Sequence, residues 1–172
     1  MRLRLFLASA FLALAGCSAG PISAQEQTAV LPADAAVLPG SAVGQMLRQC
    51  SRSAPAPGEA TWQPTAGDVA ALETALAAAL RGREEIARDH YATDPDWALA
   101  PRGWWRQYVG IVRSGRRFIY GNFYPRRPEN AQLPNWRTAP VGICDGGPVF
   151  FGAEWDVAAH RFTQIAFNGA LG

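Results

Sequence analysis

Lysine is absent from this chain: all 16 basic residues among its 172 positions are arginine. Arginine brings bidentate recognition of carboxylate and phosphate that lysine lacks, but beside so much alanine, proline and glycine the bias reads as GC-rich coding, not as function. Histidine occurs twice, as His90 and His160, far apart and without ligand spacing, so no metal site is expected. No twelve-residue calcium loop surrounds the carboxylate pairs Glu84-Glu85 and Asp94-Pro95-Asp96, and a solvated loop accounts for them. No phosphate-binding loop surrounds Gly146-Gly147 or Pro39-Gly40, where turns suffice. No cofactor is expected. The apolar run Leu5 to Ala15 is too short to span a bilayer as a helix.

That run follows Arg2 and Arg4, which is a signal-peptide layout to be excluded from the fold. It ends in Leu14-Ala15-Gly16-Cys17, which resembles the lipobox of bacterial lipoproteins. The resemblance implies that residues 1–16 are removed and that Cys17 carries acyl chains, whose burial is worth about 0.8 kcal/mol per CH₂. Ser18 in place of Asp after the cysteine implies transport to the outer membrane, facing the periplasm. Without Arg2 and Arg4 the basic residues equal the 14 acidic ones, so the mature chain is formally neutral. Its charge is uneven. Eight arginines between Arg102 and Arg137 face Glu129 alone, whereas Asp68 to Pro101 holds seven carboxylates against three arginines.

Residues 17–45 lack a helical or strand period and read as a lipidated terminus and flexible tether. Residues 46–172 read as a single α+β domain. Ser41 to Cys50 suggests a short helix, and the prolines at 55, 57 and 64 argue for irregular structure, with Trp62 plugged against the domain. Thr65-Ala66-Gly67-Asp68 has the form of a capping box, and Val69, Leu72, Leu76 and Leu80 make one apolar stripe on the helix that follows, with Gly82 interrupting it. Trp104 to Tyr124 reads WWRQYVGIVRSGRRFIYGNFY, two β-rich runs joined at Ser114-Gly115. A two-residue turn would put Phe118, Tyr120, Asn122 and Tyr124 on the face of Trp105, Gln107, Val109 and Ile111, and a three-residue turn would swap them. Pro125 to Pro140 is a long polar connection, and Pro148 to Asp156 with Arg161 to Asn168 forms a second strand pair. The expected fold is α+β: one main N-terminal helix packed on a four-stranded antiparallel sheet made of two hairpins. From Thr65 to Gly172 this order resembles cystatin-like one-helix folds. Arg106-Gln107-Tyr108, Cys144-Asp145-Gly146-Gly147 and Phe167-Asn168-Gly169 look like stretches of uncharacterised bacterial envelope lipoproteins.

Cys50 and Cys144 remain after lipidation, and two cysteines in an oxidising compartment usually pair. The rival role, Cys144 as a nucleophile with a histidine base, needs a Cys/His hydrolase constellation, and Cys144-Asp145-Gly146-Gly147 does not match the Asp-Cys-Ser-Gly motif of the peptidoglycan-cutting class. The binding candidates lie on the basic aromatic hairpin: Arg106, Tyr108, Arg113, Arg116, Arg117 and Tyr120. Arginine beside exposed aromatics suits an anionic lipid, a glycan or an envelope protein. The alternative is that these arginines are the solvated face of a half-buried sheet, some of them pairing with the acidic region around the helix. If the cluster binds such a partner, replacing Arg113, Arg116 and Arg117 is expected to change stability by no more than about 0.5 kcal/mol each, and a large loss would mark them as structural. An exported lipoprotein has no nucleic-acid partner to meet. The function expected is a membrane-anchored, non-enzymatic binding or structural module. The alternatives are an inhibitor of a lysozyme-like or other hydrolase, and a Cys/His hydrolase.

Overall fold

The computed structural model describes residues 29–83, 96–127, 133 and 135–169. The signal run, Cys17, Glu84-Glu85, His90 and Asp94 lie outside the described residues. Strands β3 (Trp104–Arg113) and β4 (Arg116–Pro125) make the central hairpin. Trp105 pairs with Tyr124, Gln107 with Asn122 and Arg113 with Arg116, so the turn holds two residues. Ser114 and Gly115 both take positive φ, 50° and 71°, as a type I′ turn requires if its twist is to match the flanking strands. The register is therefore the one that groups Phe118, Tyr120, Asn122 and Tyr124 with Trp105, Gln107, Val109 and Ile111. The second hairpin also forms as expected, with β5 (Phe151–Asp156) antiparallel to both β4 and β6 (Arg161–Phe167).

The sheet is larger than the four antiparallel strands expected, and it is mixed. Strand β1 (Ala35–Val37) runs parallel to β3 opposite Arg106 to Tyr108, and β2 (Ala60–Trp62) runs antiparallel to it opposite Gly110 to Val112. The outer edge of β3 is thus divided between two three-residue strands, which cover N–H and C=O groups that would otherwise be exposed. Strands this short show no alternation in sequence, which is why one was read as tether and the other as irregular chain.

Helix α2 (Ala66–Leu80) lies across one face of the sheet and starts with the expected capping box. Asp68 N donates to Thr65 Oγ1 (3.2 Å) and Thr65 N donates to Asp68 Oδ2 (2.8 Å). Val69, Leu72, Leu76 and Leu80 are fully buried against Trp104, Tyr108, Ile119, Phe123, Phe151 and Trp155. Truncating Leu72 or Leu76 to alanine in such a site costs about 2–5 kcal/mol. The opposite face is covered too. A 3-10 turn (Gly40–Ala42) and helix α1 (Val43–Met46) press Leu38, Ala42, Val43 and Met46 onto Val109, Ile111, Phe118 and Tyr120. Residues 35–45, expected to belong to a tether, therefore supply strand β1 and most of the layer on this second face. A sheet covered on both faces also explains why β4 is buried continuously from Phe118 onward, where a strand with one wet face would alternate.

Candidate functional site

The turn holds the arginines that the sequence offered as a binding cluster, and two of them are committed to the fold. Register places Glu154 opposite Tyr120 and Asp156 opposite Phe118, and both carboxylates are buried. Arg113 Nη2 donates to Glu154 Oε2 (2.5 Å), Arg113 Nη1 donates to Ala56 O (2.6 Å), and Arg116 pairs with Asp156. Both guanidinium groups also face the Phe118 ring. Arg117 is exposed and lies 5.2 Å over the Trp62 ring. Arg113 and Arg116 thus pair with carboxylates of β5, whereas among the candidate arginines Arg106 pairs with the helix, through Glu73.

Arg106, Tyr108 and Tyr120 are buried, which corrects the expectation that they present an open surface. Arg106 points under α2, where Nε donates to Glu73 Oε1 (2.7 Å), Nη1 donates to Trp104 O (2.9 Å) and pairs with Asp34 (2.8 Å), and Nη2 reaches Glu73 Oε2 (3.4 Å). Tyr108 Oη donates to the same Glu73 Oε1 at 2.7 Å. Burial works against the Arg106 charge, but the hydrogen bond to Glu73 and the surrounding carboxylates outweigh it and raise its pKa. Burial, with the Glu73 charge beside it, holds the Tyr108 phenol well above its ordinary range. This cluster floors a cleft of about 620 Å³ between α2, the chain before β1 and the 3-10 turn Trp97–Leu99. Leu99, half exposed, and Arg102 stand at its rim. Glu73 was legible as a polar residue four positions beyond Val69, at the margin of the apolar stripe. Asp34 carried no signal at all.

On the other face Arg52 is the centre of a network that sequence reasoning missed. Its guanidinium donates to Asn168 Oδ1 (2.6 Å), Asn122 Oδ1 (2.5 Å) and Tyr120 Oη (3.4 Å). A ladder of side-chain amides then fastens the chain before β5 to the sheet. Gln107 donates to Trp136 O and Ala139 O, Asn122 to Val141 O, and Asn168 to Ile143 O and Asp145 O. The signal was present: Gln107 and Asn122 interrupt runs of apolar and aromatic residues. Cys50 and Cys144 form the expected disulfide, with Cα atoms 5.3 Å apart. With its sulfur so bonded, Cys144 has no thiol to act as a nucleophile.

At the end of the hairpin away from the turn, donors gather. Trp105 Nε1, Tyr124 Oη and Arg127 Nε are buried and have no acceptor among the described residues, at a typical cost of about 1–3 kcal/mol for each such group. Burial pushes the Tyr124 phenol up, and the nearby Arg137 charge pulls against it. His160 sits in the β5–β6 turn with its ring edge-on to Trp155. Among the described residues no group of three His, Cys, Asp or Glu is placed to hold a metal ion, and no helix is long and apolar enough to cross a membrane. Compared with protein-family models, with curated proteins and with solved structures, the chain matches none of them.

Proposed function

We propose that this protein is a lipid-anchored module of the bacterial envelope that binds a partner without transforming it, and that the cleft over Arg106 is where it binds. The observation that carries the reading is the state of the cleft floor. Asp34 and Glu73, its candidates for acid and base, are taken up by Arg106, Tyr108 and Arg126, an arrangement that favours a fixed surface over proton transfer. A cleft of about 620 Å³ is of ligand size. Its rim offers the apolar Leu99 and the exposed Arg102, a pairing suited to a protein or glycan partner. The anchor is supported by the lipobox at Leu14 to Cys17.

The test places a photo-crosslinking residue at position 99, or at the distant exposed position 161, in cells making the full chain. A discrete adduct from position 99 and none from position 161 is expected. Identical adduct patterns from the two positions would remove the cleft. Capture of a lysozyme-like hydrolase whose activity falls on binding would turn the reading toward an inhibitor. In parallel, Cys17→Ser should leave the membrane fraction or stay uncleaved. A processed, mature-length Cys17→Ser chain still in membranes would remove the anchor.

A further inference from the structure

Trp105 and Tyr124 are cross-strand partners, and Trp136 packs against Trp105 with ring centroids 4.8 Å apart and the ring planes tilted by 57°. Two arginines lie on them, and a third is next in the chain. The Arg126 guanidinium lies 5.7 Å over the Trp105 ring and that of Arg137 lies 4.3 Å over the Trp136 ring, while Arg127 follows Arg126 directly. A guanidinium laid on an indole keeps its N–H edge turned outward. Arg126 pairs with Asp34, which also serves Arg106, and Arg137 donates to Ala33 O. Among the described residues that is little counter-charge for three cations. The buried polar atoms here are unmatched in one sense only: Trp105 Nε1 and Arg127 Nε are obligate donors, and Tyr124 Oη can donate. Tyr124 is 1% exposed, so bulk water does not satisfy it. Burying donors side by side is unfavourable unless something that only accepts is placed among them. An oxyanion does so, and planar guanidinium edges match its geometry.

We propose that the Trp105, Tyr124 and Trp136 cluster, with Arg126, Arg127 and Arg137, is a binding site for a phosphate-type oxyanion. Tyr124 and Trp105 donate to it from the sheet, and the arginines supply the charge. Arg126 reaches across to Asp34 at the cleft, but Trp105 and Tyr124 lie on the face of the sheet opposite Arg106, so the donors proposed here do not depend on the cleft binding a partner.

The experiment uses the full chain in an uncharged detergent that carries no phosphate. Inorganic phosphate is titrated against tryptophan fluorescence and thermal melting, with sodium chloride at matched ionic strength as control. Phosphate should change the tryptophan signal and raise the Tm, and chloride should not. Tyr124→Phe removes one unmatched donor and keeps the ring. It should therefore melt no lower than the native chain without phosphate, yet bind phosphate about tenfold more weakly. Arg137→Gln should weaken binding at least as much. Micelles doped with phosphatidylglycerol distinguish the source of the phosphate: competition with the titrated ion identifies a lipid headgroup, and lack of competition a soluble phosphate. The proposal is overturned if phosphate acts no differently from chloride, if both variants bind as the native chain does, or if Tyr124→Phe lowers the Tm without phosphate.

Discussion

The guanidinium of Arg113 reaches the buried Glu154 carboxylate at 2.5 Å, while that of Arg117, four positions on, lies 5.2 Å over an indole and contacts solvent. Identical side chains at one hairpin tip therefore have different roles, set by which face of β4 and β5 they can reach. Removing one partner of a buried pair leaves an uncompensated charge, which costs about 3–5 kcal/mol in a fully dry site. Arg113 is 23% exposed, so the cost here is smaller. Arg113→Gln should lower stability by about 1–3 kcal/mol, because among the described residues Glu154 then keeps only the Thr163 hydroxyl at 2.6 Å. Arg117→Gln should stay within about 0.5 kcal/mol. Chemical denaturation of the two variants decides it, and equal effects would mean that Glu154 does not depend on Arg113. The expectation that the tip arginines are dispensable is therefore retained for Arg117 and withdrawn for Arg113, which is committed to Glu154.

At the scale of the element, the β3–β4 turn is held by Glu59, which precedes β2. Its carboxylate accepts from Ser114 N (3.1 Å) and Gly115 N (3.0 Å). These backbone donors, that of Gly115 foremost, hold its pKa below the ordinary 4.5. A carboxyl depressed by folding stabilises the fold fully above its unfolded value, and that stabilisation is lost as pH falls through the folded value. The native chain should therefore lose this contribution below pH 4.5, and Glu59→Gln should lack that part of the acid limb when denaturation is followed from about pH 6 to 3. Parallel curves for the two chains would show that Glu59 does not hold the turn. The hairpin itself was legible because ten-residue strands rich in aromatic and β-branched residues carry a strong local signal, and so was α2 from its cap and stripe. What covers them was legible only in part: the short helix expected within Ser41 to Cys50 forms as α1, but its place on the sheet was not legible. β1, β2 and α1 span three or four residues each, and their positions follow from long-range pairing with β3. For the same reason the sequence showed that arginines crowd the hairpin, but not that Arg106 turns inward to Glu73 and Asp34.

Over the whole molecule, the two layers on the sheet differ in how they are held. The α2 layer rests on a deep apolar contact, whereas the layer of residues 36–46 is thin and is followed by Cys50 and Arg52, which tie it to the far end of the chain. Cys50 bonds to Cys144, 94 residues away, and Arg52 bridges Asn122 and Asn168. In the chain-entropy model, closing a loop of this length stabilises the fold by about 4–5 kcal/mol, a large part of the roughly 5–15 kcal/mol of an ordinary domain. Cys50→Ala/Cys144→Ala should therefore melt far lower than the native chain. Loss should begin locally. With the bridge gone, the chain from 47 to 55 is held mainly by side-chain hydrogen bonds, and local opening precedes global unfolding where buried apolar contact is sparse. Trypsin is a sensitive reporter in a chain whose basic residues are all arginine. Under conditions where the double variant is still folded, cleavage should come first after Arg48 and Arg52 and only later after the buried Arg106, and the disulfide-bonded chain should resist cutting at all three. Equal melting of the two chains, or first cleavage within β3, would show that the bridge closes a loop without holding the second layer on the sheet.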